Sequence, residues 1–140
     1  MAADIHIDEF NRDTAVAITR LYNNFPHPMA LYVDEICRVE APDEYGVISD
    51  RHQRCIGALL WLAAEHIIRF KDTIGVDGIE QAVLTLPALQ ALHSTSQVAQ
   101  TITVIHAIRG GLKEKSSESL KRSMHEFYHY FIKNSGGKSS

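Results

Sequence analysis

The sequence has few cysteines and no long hydrophobic run. Its two cysteines, Cys37 and Cys55, stand alone without a CxxC partner, which favours buried thiols in a reducing cytoplasm. No stretch approaches the ~18–20 apolar residues that a membrane-spanning helix needs. The first residues carry Asp4, Asp8 and Glu9, whereas a secretory signal peptide starts with basic residues. We therefore expect a cytoplasmic chain that makes no contact with a membrane.

An excess of positive charge is also absent. The 140 residues contain 14 Lys and Arg against 17 Asp and Glu, a formal net charge of −3, whereas dedicated nucleic-acid binders are usually basic. Residues 1–40 hold three basic and seven acidic groups, while residues 109–140 hold seven basic and three acidic groups. A charged partner would therefore meet two different faces of the molecule.

Catalytic signatures are missing as well. No glycine-rich phosphate loop is present, and the serines and histidines lack the flanking residues of a nucleophilic active site. With 45% hydrophobic and 22% charged residues, the composition is that of one compact globular core. We expect a non-enzymatic protein that needs no cofactor and no metal ion.

One motif runs against that expectation. Residues 125–129 spell HExxH on a predicted helix, a spacing that places two imidazoles on one face to hold zinc beside a glutamate base. A catalytic zinc needs a third protein ligand, and no His, Asp, Glu or Cys follows this motif. Glu126 can instead join Glu118 and Arg122, at spacings of four, in an exposed ion-pair ladder. Zinc binding through His125 and His129 is therefore a minor alternative.

Apolar periodicity predicts a mostly helical chain with a small β-hairpin. Helices are predicted over residues 8–24, 50–66, 86–93, 98–108 and 117–133, with a single helical turn within residues 34–39. Strands are predicted over residues 29–33, 67–70 and 79–85, and Asp77-Gly78 is typical of a hairpin turn. Ser49 or Asp50 and Thr85 are expected to cap the helices that they precede. Gly110-Gly111 is expected to end the helix before it.

Two segments resemble the winged helix-turn-helix family of bacterial regulators. Residues 61–70, WLAAEHIIRF, resemble the end of the recognition helix and the entry to the wing, and residues 84–92, LTLPALQAL, resemble the wing exit. His66 and Ala88 stand where the family has glycine, and histidine tolerates left-handed backbone better than most residues. The resemblance implies a winged-helix domain over residues 1–93, a C-terminal helical extension over residues 94–133 and a flexible tail over residues 134–140.

The same resemblance implies a regulator of transcription that binds double-stranded DNA. In helix-turn-helix proteins the start of the recognition helix enters the major groove, and its residues here are Arg51, His52, Gln53 and Arg54. Arginine and glutamine suit the edges of guanine and adenine, and Arg69 and Lys71 on the wing would meet phosphates. Because the chain is acidic, a second hypothesis stays open. In it, a non-enzymatic adaptor or inhibitor uses the winged helix to bind another protein.

The two C-terminal helices predict a homodimer, because their apolar stripes exceed what so small a winged helix needs. The expected interface side chains are Val98, Ile102, Ile105, Leu120, Met124, Phe127 and Phe131. In the alternative, both helices fold back on the same core. The single tryptophan, Trp61, is expected to pack at the junction between the recognition helix and the wing.

Overall fold

The computed structural model describes residues 5–37, 44–97 and 102–136, and these residues are mostly helical with a small antiparallel sheet. The helices are α1 (Ile5–Asn24), α2 (Val33–Ile36), α3 (Asp50–Ala64), α4 (Leu86–Leu92), α5 (Val104–Glu114) and α6 (Ser117–Gly136). The strands are β1 (Met29–Tyr32), β2 (Ile68–Arg69), β3 (Asp72–Ile74) and β4 (Gly78–Leu84). The predicted combination of helices and a hairpin is confirmed.

β4 organises the sheet, because it pairs antiparallel with each of the other three strands. Leu31 of β1 and Thr73 of β3 both lie opposite Ile79. β1 therefore forms one edge, while β2 and β3 follow one another along the other. A Cβ at Gly78 would lie 2.3 Å from the carbonyl oxygen of Leu31, so glycine at this position allows β1 and β4 to approach.

One hydrophobic core includes both halves of the chain. α1 contacts α3, α5, α6 and β4, and a single cluster of buried side chains runs from α1 to α6. Five side chains that the sequence assigned to a dimer interface belong to this core, namely Ile105, Leu120, Met124, Phe127 and Phe131. The fold-back alternative describes them, and a second copy would not reach them unless α5 and α6 moved away. Ile102 is exposed, and Val98 lies outside the described residues.

α5 runs through Gly110-Gly111 and ends at Glu114, so the prediction that this glycine pair ends the helix is wrong. The residue that follows the helix, Lys115, has a left-handed φ of 56°. A Cβ at Gly111 would lie 3.0 Å from Leu120 Cδ2, so the second glycine is explained by the close packing of α5 on α6. The predicted start of this helix at residue 98 lies outside the described residues.

His66 ends α3 with left-handed backbone, at a φ of 64°. The amide of Ile67 donates to the carbonyl of Leu62, and the amide of His66 donates to the carbonyl of Ala63. This pair of bonds usually closes a helix at a glycine. The Thr85 hydroxyl donates to the carbonyls of His66 and Ile67. It therefore fastens the junction between α3 and the sheet, and the predicted capping of α4 by this side chain is wrong.

Candidate functional site

Arg51, the first of the predicted DNA-reading residues, points inward from the start of α3. Its guanidinium holds Asp13 of α1 with two bonds, Nη1 to Oδ2 at 2.7 Å and Nη2 to Oδ1 at 2.6 Å. Its Nε lies 3.4 Å from Glu9 Oε2. The Asp13 side chain is 1% exposed and that of Arg51 is 21% exposed. The bonds to Asp13 raise the pKa of Arg51, so a permanently charged group fastens α3 to α1.

The next three predicted residues divide between the interior and the surface. His52 is buried, and its Nε2 lies 2.7 Å from the carbonyl oxygen of Val76, which ties α3 to the β3–β4 turn. Arg54 is about half exposed, and its Nε lies 3.1 Å from Glu9 Oε1. Gln53 is exposed. Because both arginines contact carboxylates of α1, the start of α3 does not present two free cations to solvent.

The outer face of α3 is apolar and made partly of small residues. Gly57, Leu60 and Ala64 are all exposed and lie at helical spacings on one face. Leu60 is 39% exposed, and a Cβ placed on Gly57 would meet no atom within 4 Å. Asp50 and Gln53 are exposed on the same side at the start of the helix, so the apolar part is the stretch from Gly57 to Ala64. That stretch suits close packing against another protein surface.

Trp61 borders this face and packs between α1 and α6. Its ring meets Phe10 edge-on at a centroid distance of 5.0 Å and Tyr128 at 5.7 Å, and 38% of the residue is exposed. The prediction that it packs at the junction with the wing is wrong. A groove of ~280 Å³ lies beside it between α1 and α3, with Ile7 and Gly57 in its lining. The three aromatic rings extend the apolar surface across three helices.

Arg69 and Lys71, the predicted phosphate contacts, are both exposed beside β2. Within residues 5–37, 44–97 and 102–136, neither side chain has a carboxylate within 4.0 Å. Asp72 is exposed next to them, so the local charge is mixed. The exposed cations of this region thus lie at β2 and just after it, while the arginines of α3 contact carboxylates of α1.

The HExxH motif of α6 has two exposed histidines and a buried glutamate, and all three residues line the same cavity. His125 and His129 are exposed and line a cavity of ~430 Å³ together with Lys121 and Arg122. Glu126 is buried, and it accepts bonds from Ser96 Oγ at 2.7 Å and from the amide of Gln97 at 2.6 Å. The predicted exposed ladder through Glu126 is wrong, and the carboxylate instead fixes the chain that follows α4.

Sequence reasoning missed a cluster that the fold assembles from three separate segments. Asp13 of α1, Cys37 at the end of α2 and Cys55 of α3 are all buried. Within the described residues, theirs is the one set of three His, Cys, Asp or Glu side chains whose ligand atoms all lie within 4.8 Å of one another. No local sequence pattern marks this cluster, because no two of its residues are close in sequence and neither cysteine belongs to a CxxC pair.

Comparison of the chain with protein-family models, with curated proteins and with solved structures gave no match. No helix in the described part of the chain combines the length and the hydrophobicity needed to cross a bilayer.

Proposed function

We propose that this chain is a protein-interaction module on a winged-helix scaffold, and that the outer face of α3 docks a second copy of the chain. The observation that carries the proposal is the orientation of α3. Its two arginines contact Asp13 and Glu9 of α1, while the exposed residues Gly57, Leu60 and Ala64 form an apolar patch. A helix turned this way offers packing surface to a protein and little charge to a phosphate backbone.

The scaffold has one feature that supports the winged-helix assignment and one that separates it from a DNA reader. The order helix, strand, short helix, helix and hairpin from α1 to β4 is the order expected for a winged helix. A helix-turn-helix, however, joins its two helices by a turn of about 3–4 residues, and here residues 37–49 lie between α2 and α3. We infer that the scaffold is retained without the compact unit that enters a major groove.

A second copy is the occupant that the α3 face fits by symmetry. Two α3 helices packed antiparallel about a two-fold axis between Gly57 and Leu60 would place each Leu60 over the partner's Gly57. The open space at this glycine accepts the leucine as a knob enters a hole. The contact is self-complementary, as a two-fold interface requires.

The test is sedimentation velocity over a concentration series with the purified chain. We expect a monomer–dimer equilibrium that Leu60→Glu and Gly57→Leu each abolish, because one buries a charge and the other fills the hole. Leu86→Glu is the matched control, since Leu86 is an exposed leucine that belongs to α4 and not to α3. A wild-type chain that stays monomeric throughout, or a dimer that Leu60→Glu leaves intact, would overturn the proposal.

DNA binding is the second candidate, and the exposed wing cations favour it. Arg69 and Lys71 lie side by side without a carboxylate partner in the part of the chain that the structure describes. Each phosphate contact adds ~0.9 to the slope of log affinity against log salt. Arg69→Ala/Lys71→Ala would therefore lower that slope on a random duplex by ~2. Lys113→Ala/Lys121→Ala, with the same change of charge on α5 and α6, is the control. Absence of binding at low salt would exclude this candidate.

A further inference from the structure

We propose that Asp13, Cys37 and Cys55 form a binding site for a thiophilic divalent cation of the zinc class, which would fasten α1, α2 and α3 to one another. Two thiolates and a carboxylate are a donor set that zinc accepts, with a fourth position left for water or another ligand. The inference is independent of the proposed docking face, because all three residues are buried on the inner side of α3.

The distances in the cluster suit such an ion. With zinc–sulfur bonds of ~2.3 Å and zinc–oxygen bonds of ~2.1 Å, tetrahedral ligand atoms lie ~3.6–3.8 Å apart. The ligand atoms of Asp13, Cys37 and Cys55 already lie within 4.8 Å of one another. Coordination therefore needs shifts of ~1 Å or less, which side-chain rotations can supply without moving a helix.

Charge balance also favours the ion. With both thiols protonated, the cluster has no net charge, because Arg51 pairs with Asp13. A divalent cation that displaces the two thiol protons adds two positive charges and leaves two thiolates, so the buried charge is again zero. The ion therefore enters without leaving an uncompensated charge in the interior, which would be costly.

Arg51 does not exclude the cation from Asp13. An ionised carboxylate has about four lone-pair positions, and the bidentate guanidinium bond uses two of them. A charged or hydrogen-bonded group behind a metal-binding side chain commonly fixes its orientation.

The experiment uses the full chain, reduced and freed of metal by a chelator, and titrates it with Zn²⁺ and separately with Co²⁺. We expect one equivalent of Zn²⁺ to bind with release of two protons, and Co²⁺ to give the near-ultraviolet charge-transfer band of cobalt–thiolate bonds. Cys37→Ser and Cys55→Ser should each remove that band. His125→Ala/His129→Ala is the control, because it deletes the exposed histidine pair and should leave the stoichiometry unchanged.

A measurement on the wild-type chain covers the case in which a cysteine variant does not fold. Bound Zn²⁺ should slow alkylation of both cysteines by a small thiol reagent, and a chelator should restore the rate. Failure of the reduced chain to bind metal, binding that survives loss of either cysteine, or binding lost with the histidine pair would each overturn the proposal. Recovery of the thiols only as a disulfide, with no metal uptake after reduction, would overturn it as well.

Discussion

The two faces of α3 differ in chemistry in the opposite sense to that expected of a DNA-reading helix. The inner face contains the charged and reactive groups, with Arg51 bonded to Asp13 and with Cys55 buried beside them. The outer face contains Gly57, Leu60 and Ala64, all exposed. In a recognition helix the polar groups point outward to the bases.

The types of residue at the start of a helix therefore do not decide the role of that helix. The carboxylates that pair with the α3 arginines come from α1, about forty residues earlier in the chain, and only the packing of the two helices brings them together. A charged pair sequestered in this way fixes the position of α3 against α1.

The largest effect is expected from Arg51→Met on the inner face. This change leaves the buried Asp13 carboxylate without its charged partner, and such a loss costs about 3–5 kcal/mol. Arg54→Met is the matched control. Its contact with Glu9 is about half exposed, so the loss should be about 1 kcal/mol or less. Urea unfolding of the two variants gives the comparison. Equal losses in both would show that the bidentate pair is no more important than the surface pair.

The next largest difference in the free energy of unfolding is expected between alanine variants of two neighbouring leucines of α3. Leu59 is 0% exposed and Leu60 is 39% exposed. Leu59→Ala should therefore lower the free energy of unfolding by about 2–5 kcal/mol, and Leu60→Ala should lower it by about 1 kcal/mol or less. Denaturation at low protein concentration avoids any contribution from self-association. A large loss for Leu60→Ala under that condition would mean that the outer face is covered within one chain.

The sequence predicted the elements more accurately than the surroundings of individual side chains. The helices and the hairpin follow from periodicity and from local turn chemistry, which depend on nearby residues. The predicted exposed ion-pair ladder through Glu126 is wrong because the hydrogen-bond partners of Glu126 lie on the chain after α4. Trp61 was misplaced for the same reason, since the rings that it meets come from α1 and α6.

For the candidate sites, too, the sequence predicted residues of interest better than it predicted their surroundings. The sequence identified Arg51 and Arg54 as notable, but their orientation depends on Glu9 and Asp13 of another helix. The cluster of Asp13, Cys37 and Cys55 had no local signal at all, because its members are brought together by tertiary packing. Contacts between distant segments were thus the part of the structure that periodicity did not determine.

A smaller effect, confined to alkaline solution, is expected at Tyr128, which lies beneath Trp61 at the border of the outer face. Burial raises the pKa of Tyr128 to about 12 from its ordinary value of 10.0. Since the folded state holds the phenol proton more tightly, this contribution to stability is complete below pH 10.0 and is lost between pH 10.0 and about 12. The loss should reach about 2–3 kcal/mol. Tyr128→Phe should remove this part of the alkaline dependence of urea unfolding. An unchanged profile in the variant would contradict the burial of the phenol.

The smallest effect is expected at His66, where both faces of α3 end. A non-glycine residue with left-handed backbone costs about 1–2 kcal/mol, and glycine loses about 0.5–1 kcal/mol of that advantage through its greater freedom when unfolded. His66→Gly should therefore stabilise the chain by up to about 1 kcal/mol. Glu65→Gly is the control, because Glu65 has a φ of −86° and gains no relief, so its stability should fall by about 0.5–1 kcal/mol. Thermal unfolding of the two variants should shift in opposite directions. A shift of the same sign in both would mean that His66 is not strained, and that α3 ends there for a reason other than its backbone.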